Sequence, residues 1–186
     1  ITATGGVLGG AKSGQNLHFF EDGIRAIVET ANDYGMLTAA HAHGDEGMQR
    51  AIKAGIKTIE HGTLMSAETM KLMKEYKAYL VPTITAGKNV AELAKIEGYF
   101  PELVVPKAKA IGPKIQATFE MAYKSGVNIL FGTDAGVFKH GLNAKEFGYM
   151  VEAGMPAMEA IQSATLVPAR LLKVENDYGS IAKGKK

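Results

Sequence analysis

Three short stretches carry side chains suited to holding a metal ion. They are His41-Ala42-His43-Gly44, Glu60-His61-Gly62 and Gly132-Thr133-Asp134-Ala135-Gly136. Each closes an apolar run and is followed at once, or nearly so, by glycine. His41 and His43 are two residues apart, so in an extended strand they point to the same side. Neutral imidazole plus carboxylate is a donor set favoured by borderline divalent metals such as zinc, which in catalytic sites keeps a position open for water. A single buried histidine is most often a hydrogen-bonded structural residue, and Asp134 on its own reads equally well as a turn former or helix N-cap. Three strand ends presenting His, His and Asp together favour the metal reading. Glu60, beside His61 but expected on the other face of its strand, is read as structural. His140 and Lys139 follow the last strand, and His140 is a candidate for meeting a substrate carboxylate. Two features are set aside. The run Gly5 to Ser13 superficially resembles a phosphate loop, but one inserted alanine spoils the spacing. Met65, Met70 and Met73 fit helix packing.

These side chains need a scaffold that brings strand ends together. Short apolar runs alternate with amphipathic stretches of helical period, which predicts α/β architecture. Residues 1–4 read as a strand end running into a glycine-rich loop. Helix is expected over 21–34, strand over 36–41, helix over 46–54, strand over 57–61, and helix over 66–76 opened by Ser66 with Thr69 three residues on. A strand over 79–83 precedes a long connection containing Pro101, Pro106 and Pro113, which leads into a helix ending near Ser125-Gly126. A last strand over 127–131 and helices over 144–153 and 156–172 complete the pattern. A doubly wound sheet and a piece of a (β/α)₈ barrel both fit, and in either the carboxyl ends of the strands share one face.

The bulk numbers set bounds. The 186 residues suffice for one domain with a sizeable core, and 46% hydrophobic with 22% charged residues is ordinary for a globular chain. A net charge of +2 argues against nucleic acid or an anionic membrane as partner. The absence of cysteine excludes disulfides and thiolate ligands. No apolar run approaches the ~18 residues that span a bilayer. A cytoplasmic location is the default expectation, and a homo-oligomer is left open. The chain lacks an initiating Met and opens inside a strand, so it is expected to be a piece of a longer protein.

The succession Ala-His-Ala-His-Gly, Glu-His-Gly and Phe-Gly-Thr-Asp-Ala-Gly resembles strands 5, 6 and 8 of the amidohydrolase superfamily. Thr-Gly-Gly-Val-Leu at 4–8 and Glu-Ala-Ile-Gln-Ser-Ala-Thr at 159–165 are similar to its prolidase and imidazolonepropionase-like branch. The resemblance implies the C-terminal half of a (β/α)₈ TIM-like metal-dependent hydrolase barrel, from the end of strand 4 through strand 8. The N-terminal half and the small β-sandwich of the family would lie outside residues 1–186. It further implies that His41 and His61 bind one divalent metal of the zinc type, and that Asp134 binds another. Asp134 would also accept the proton of the attacking water. A carboxylated Lys bridging the two ions would immediately precede Ile1. His41 is preferred to His43 as the strand-5 ligand, which leaves His43, with His140, on the substrate side. The implied reaction is hydrolysis of a dipeptide of Xaa-Pro type or an N-acyl amino acid. Cyclic-amide hydrolysis, as in imidazolonepropionase, and deamination use the same activated water and remain alternatives. A rival of another class is a non-catalytic metal-binding fragment.

Overall fold

A computed structural model describes residues 1–10 and 13–186. Four strands, β1 (Ala39–Ala42), β2 (Thr58–His61), β3 (Tyr79–Val81) and β4 (Asn128–Ile129), form one parallel sheet in the order β1-β2-β3-β4. Ile1–Thr4 runs alongside β1: the His41 N–H donates to the Ile1 carbonyl at 2.9 Å and the Ala3 N–H to the His41 carbonyl at 2.9 Å. The expected strand end followed by four strands is therefore present, with shorter strands than periodicity suggested.

Among the described residues eight helices accompany these strands: α1 (Glu21–Asp33), α2 (Asp45–Lys53), α3 (Ala67–Glu75), α4 (Ile84–Leu93), α5 (Val105–Lys124), α6 (Lys145–Glu152), α7 (Ala157–Ala164) and α8 (Leu166–Leu171). The main core lies between the sheet and these helices. Ala40, Ile59 and Leu80 face it from neighbouring strands, and Ile24, Met48, Ile52, Met73, Phe119 and Met150 meet them from the helices, all fully or nearly fully buried. Met65, Met70 and Met73 belong to this core, as their spacing suggested. Ser66 caps α3, its hydroxyl accepting from the Thr69 N–H at 3.2 Å.

Three departures have local causes. The connection after β3 contains α4, and the helix expected to end near Ser125-Gly126 starts as early as Val105, so that α5 takes in Pro106 and Pro113. Thr83 stands at the N-cap of α4, but its side chain makes no cap hydrogen bond to the helix it precedes. Pro106 sits in the first turn of α5, where a missing N–H costs nothing, whereas Pro113 lies inside it. That interior proline costs on the order of 3 kcal/mol. Burial of Ile111, Ile115 and Phe119 along the same helix offsets it. Finally, the helix expected over 156–172 is two: Thr165 leaves the helical region at φ −129°, ψ −79°, so that Pro168 falls in the first turn of α8. The loop that resembled a phosphate cradle includes residues 11 and 12, which lie outside the described residues. Among the described residues no helix is long and apolar enough to cross a membrane.

Candidate metal centre and active site

The carboxyl ends of the strands converge as a parallel sheet requires. His41 lies in β1, His43 follows it directly, and His61 ends β2. Their ring centroids are 4.6 Å apart for His41 and His61, 4.8 Å for His43 and His61, and 4.9 Å for His41 and His43. One ligating atom from each lies within 4.8 Å of the others. The residues at 41 and 43 thus both enter the cluster.

Burial decides their charge. It pushes His43 down to about 3 and His61 to about 2, with the neighbouring imidazoles adding to the effect. His41 is lowered too, by burial first, against the opposing pull of the Gly5 carbonyl and Asp134. All three rings are consequently neutral at pH 7, the form that offers a lone pair to a cation. Two are pinned by threonines from the next strand end. His43 Nδ1 is 2.9 Å from Thr63 Oγ1, and His61 Nδ1 is 2.7 Å from Thr83 Oγ1. These contacts leave Nε2 as the unengaged nitrogen of each ring, the outer-sphere arrangement that orients imidazole ligands. Thr63 is itself held, its carbonyl accepting from the Thr118 hydroxyl of α5 at 2.6 Å.

Asp134 follows β4 and lines the same cavity as the three histidines. It is exposed on the rim, yet desolvation still raises its carboxyl pKa, with His41 pulling the other way. Backbone strain gathers at these positions. His61, Thr83 and Asp134 have φ of 73°, 50° and 54°. Non-glycine residues in that region mark turns whose surroundings over-determine them, as at functional sites.

The cavity is about 240 Å³. Its far wall is apolar, formed by Val7, Val90, Ala108, Ile111, Ile115 and Val137, most of which belong to a small hydrophobic cluster separate from the main core. The wall comes largely from α4 and α5, the elements least visible in the sequence. Among the described residues Asp134 is the only acidic residue of the lining, which includes no described lysine or arginine. His140 and Lys139 are exposed and outside that lining, so the structure does not bring them to the histidines. Glu60 sits beside His41 in the strand register, which puts those two side chains on one face of the sheet. Burial raises its carboxyl pKa, a Thr58 hydroxyl at 2.6 Å opposes this, and Asp134 adds to the rise. Thr63 and Thr83 were not singled out from sequence. The one signal is their place within two residues of a strand end.

The model of the amidohydrolase family matches residues 1–186. The chain belongs to this family. Over 99% of its length it superposes on a crystal structure of a Xaa-Pro dipeptidase with bound methionine in the active site, with a TM-score of 0.96 and 61% identity, covering 45% of that chain. A prolidase crystallised with N-methylphosphonate-L-proline matches with a TM-score of 0.86 and 32% identity, over 99% of this amidohydrolase chain and 45% of the other. Ochratoxinase from Aspergillus niger is 33% identical over 169 residues, which are 89% of this chain and 34% of the relative. The amidohydrolase chain therefore spans less than half the length of these relatives. The fold is the α/β parallel arrangement of the amidohydrolase barrel enzymes, in part.

Proposed function

We propose that the full-length protein is a metal-dependent hydrolase that cleaves the amide bond of a dipeptide, of Xaa-Pro type or close to it, or of an N-acyl amino acid. In this reading residues 1–186 are part of a larger barrel whose remaining strands come from the rest of the protein. The observation that carries it is the convergence of three neutral imidazoles, with Asp134 on the same cavity.

The donor set fits a divalent ion of the zinc type: neutral imidazole nitrogens, two with their second nitrogen already engaged, and a nearby carboxylate. His41 and His61 would hold one such ion and Asp134 another, in keeping with the strand-end motifs. When bound, such an ion polarises a carbonyl and makes water a nucleophile at neutral pH. Asp134 then serves as proton acceptor. Its carboxylate lines the same cavity as the histidines, and solvent access at the rim lets it shed the proton. His43 is neutral and its Nδ1 is fixed on Thr63, so its Nε2 is oriented to hydrogen-bond the substrate. The apolar wall accepts an uncharged side chain and excludes water around the bond being cut. Methionine in the active site of the Xaa-Pro dipeptidase relative supports an apolar amino acid there.

The test is a substrate screen with the full-length protein. Xaa-Pro dipeptides, N-acyl amino acids and cyclic amides are offered before and after chelation and after divalent metal is restored. Turnover of the first two classes, lost with the metal and regained with it, is expected. Turnover confined to cyclic amides overturns the peptidase reading, and no metal-dependent turnover of any amide overturns the whole.

A further inference from the structure

Glu146, on α6, is completely buried and plays no part in the chemistry above. Its carboxylate nevertheless accepts three hydrogen bonds across a separation of more than sixty residues. The Ile84 N–H reaches one oxygen at 2.7 Å. The Thr85 N–H at 2.7 Å and the Thr85 hydroxyl at 2.6 Å reach the other. These donors open α4. The residue before them, Thr83, stands at the N-cap position in the left-handed region (φ 50°, ψ 44°), and its hydroxyl makes no cap. That hydroxyl lies instead 2.7 Å from His61 Nδ1.

Two physical facts make the arrangement informative. A β-branched residue at positive φ is a genuine outlier, kept only where the surroundings fix it. An N-cap threonine normally spends its oxygen on the free N–H groups of its own helix. Here Glu146 takes over those N–H groups from another helix. It thereby immobilises the residues that follow Thr83 and leaves the Thr83 hydroxyl for the histidine. The same carboxylate ties α6, which follows the Asp134 loop, to the turn that serves His61. That loop is itself secured where Asn143 Nδ2 donates to Thr133 Oγ1 at 3.0 Å.

We propose that Glu146 is a positioning residue for His61: by capping α4 in place of Thr83, it holds the Thr83 hydroxyl on His61 Nδ1 and so fixes which ring nitrogen faces the site. The proposal rests on the metal-hydrolase reading only for the identity of what His61 binds. Outer-sphere partners of this kind change metal affinity by ~10–100-fold when removed.

The experiment uses the full-length protein and four substitutions, Glu146→Gln, Thr83→Val, Thr83→Ser and Thr85→Ala. Two readouts are taken: Zn²⁺ affinity by competition with a chromophoric chelator, and the ¹⁵N shifts of the His61 ring in metal-free protein. Glu146→Gln and Thr83→Val should each weaken Zn²⁺ binding by ~10–100-fold and shift the His61 tautomer balance. The double variant should lose little more than either alone, because both act through one contact. Thr83→Ser, which keeps the hydroxyl, should retain affinity. A Glu146→Gln protein that is less stable but has unchanged Zn²⁺ affinity and an unchanged His61 spectrum overturns the proposal, as does a double variant whose losses multiply in full. If Glu146→Gln does not fold, Thr85→Ala removes a single hydroxyl bond, and an unaltered His61 spectrum there also overturns it. A wild-type protein that binds no Zn²⁺ refutes the metal-hydrolase reading, while the ring shifts still decide the role of Glu146.

Discussion

Asp134 shows how much a single residue must reconcile. It sits at φ 54°, a conformation that aspartate tolerates better than most because its short side chain can bond locally. It lines the histidine cavity while remaining open to water, and its carboxyl pKa is raised by desolvation and partly restored by His41. In Asp134→Asn the side chain keeps its shape and loses its basicity. The turnover proposed for the full-length protein should fall by ~10²–10⁴-fold with the fold retained. Steady-state kinetics on metal-loaded protein checks this, and near wild-type turnover would remove Asp134 from the proton-acceptor role. That His41, His61 and Asp134 meet at one cavity was legible in the sequence, because residue type and strand-end position are both local properties. Thr63 and Thr83 were not. Each acts on a histidine 20 or 22 positions earlier, and only the register of neighbouring strands makes them meet. His140 has the right chemistry but stands exposed on a turn that carries it away from the cavity.

Among the elements, α4 and α5 form the cavity wall through a close approach that small residues permit. A Cβ on Gly112 would lie 2.3 Å from Ala91 Cβ and 2.7 Å from the Gly87 carbonyl oxygen, with no flexible side chain end to yield. Gly112→Ala gains at most ~1 kcal/mol of helix propensity. Forcing two packed helices apart costs ~1–3 kcal/mol, so the clash wins. The variant should unfold at lower urea concentration and bind apolar substrates more weakly. A midpoint equal to or above wild type would show that the helices do not approach so closely. The alternation of strand and helix was readable from periodicity, as were the ends at Gly55 and Gly126, where positive φ stops a helix. The helix α4 was hidden because its cap is Glu146, which is far away in sequence. Asp45 works in a similar way on α3, accepting from the Ser66 N–H and the Thr69 hydroxyl, but there Ser66 also supplies a local signal. Carboxylates from other helices thus set two of the helix starts around the site.

For the molecule as a whole, gathering three imidazoles at one pole of the sheet ties stability to pH. His43 and His61 have folded pKa values of about 3 and about 2, below the 6.5 of an exposed histidine. Between those limits the unfolded chain binds more protons than the folded one, so stability is complete above pH 6.5 and declines as pH falls toward the folded values. Each such histidine then forfeits about 1.4 kcal/mol per pH unit, or roughly 2 kcal/mol from pH 6.5 to 5. Glu60 and Glu146 work in the opposite direction. Burial raises their pKa values, so the folded state takes up their protons first and gains stability as pH drops. The total slope mixes both signs, and a comparison of variants isolates the histidine part. In metal-free full-length protein, His43→Gln removes one of the two strongly depressed groups. Its unfolding free energy should therefore decline less steeply between pH 7 and pH 5 than that of wild type, by about 2 kcal/mol. Urea unfolding at the two pH values measures the difference directly. Parallel declines would mean that His43 ionises freely in the folded protein, and that the pole of the sheet is wetter than its burial implies.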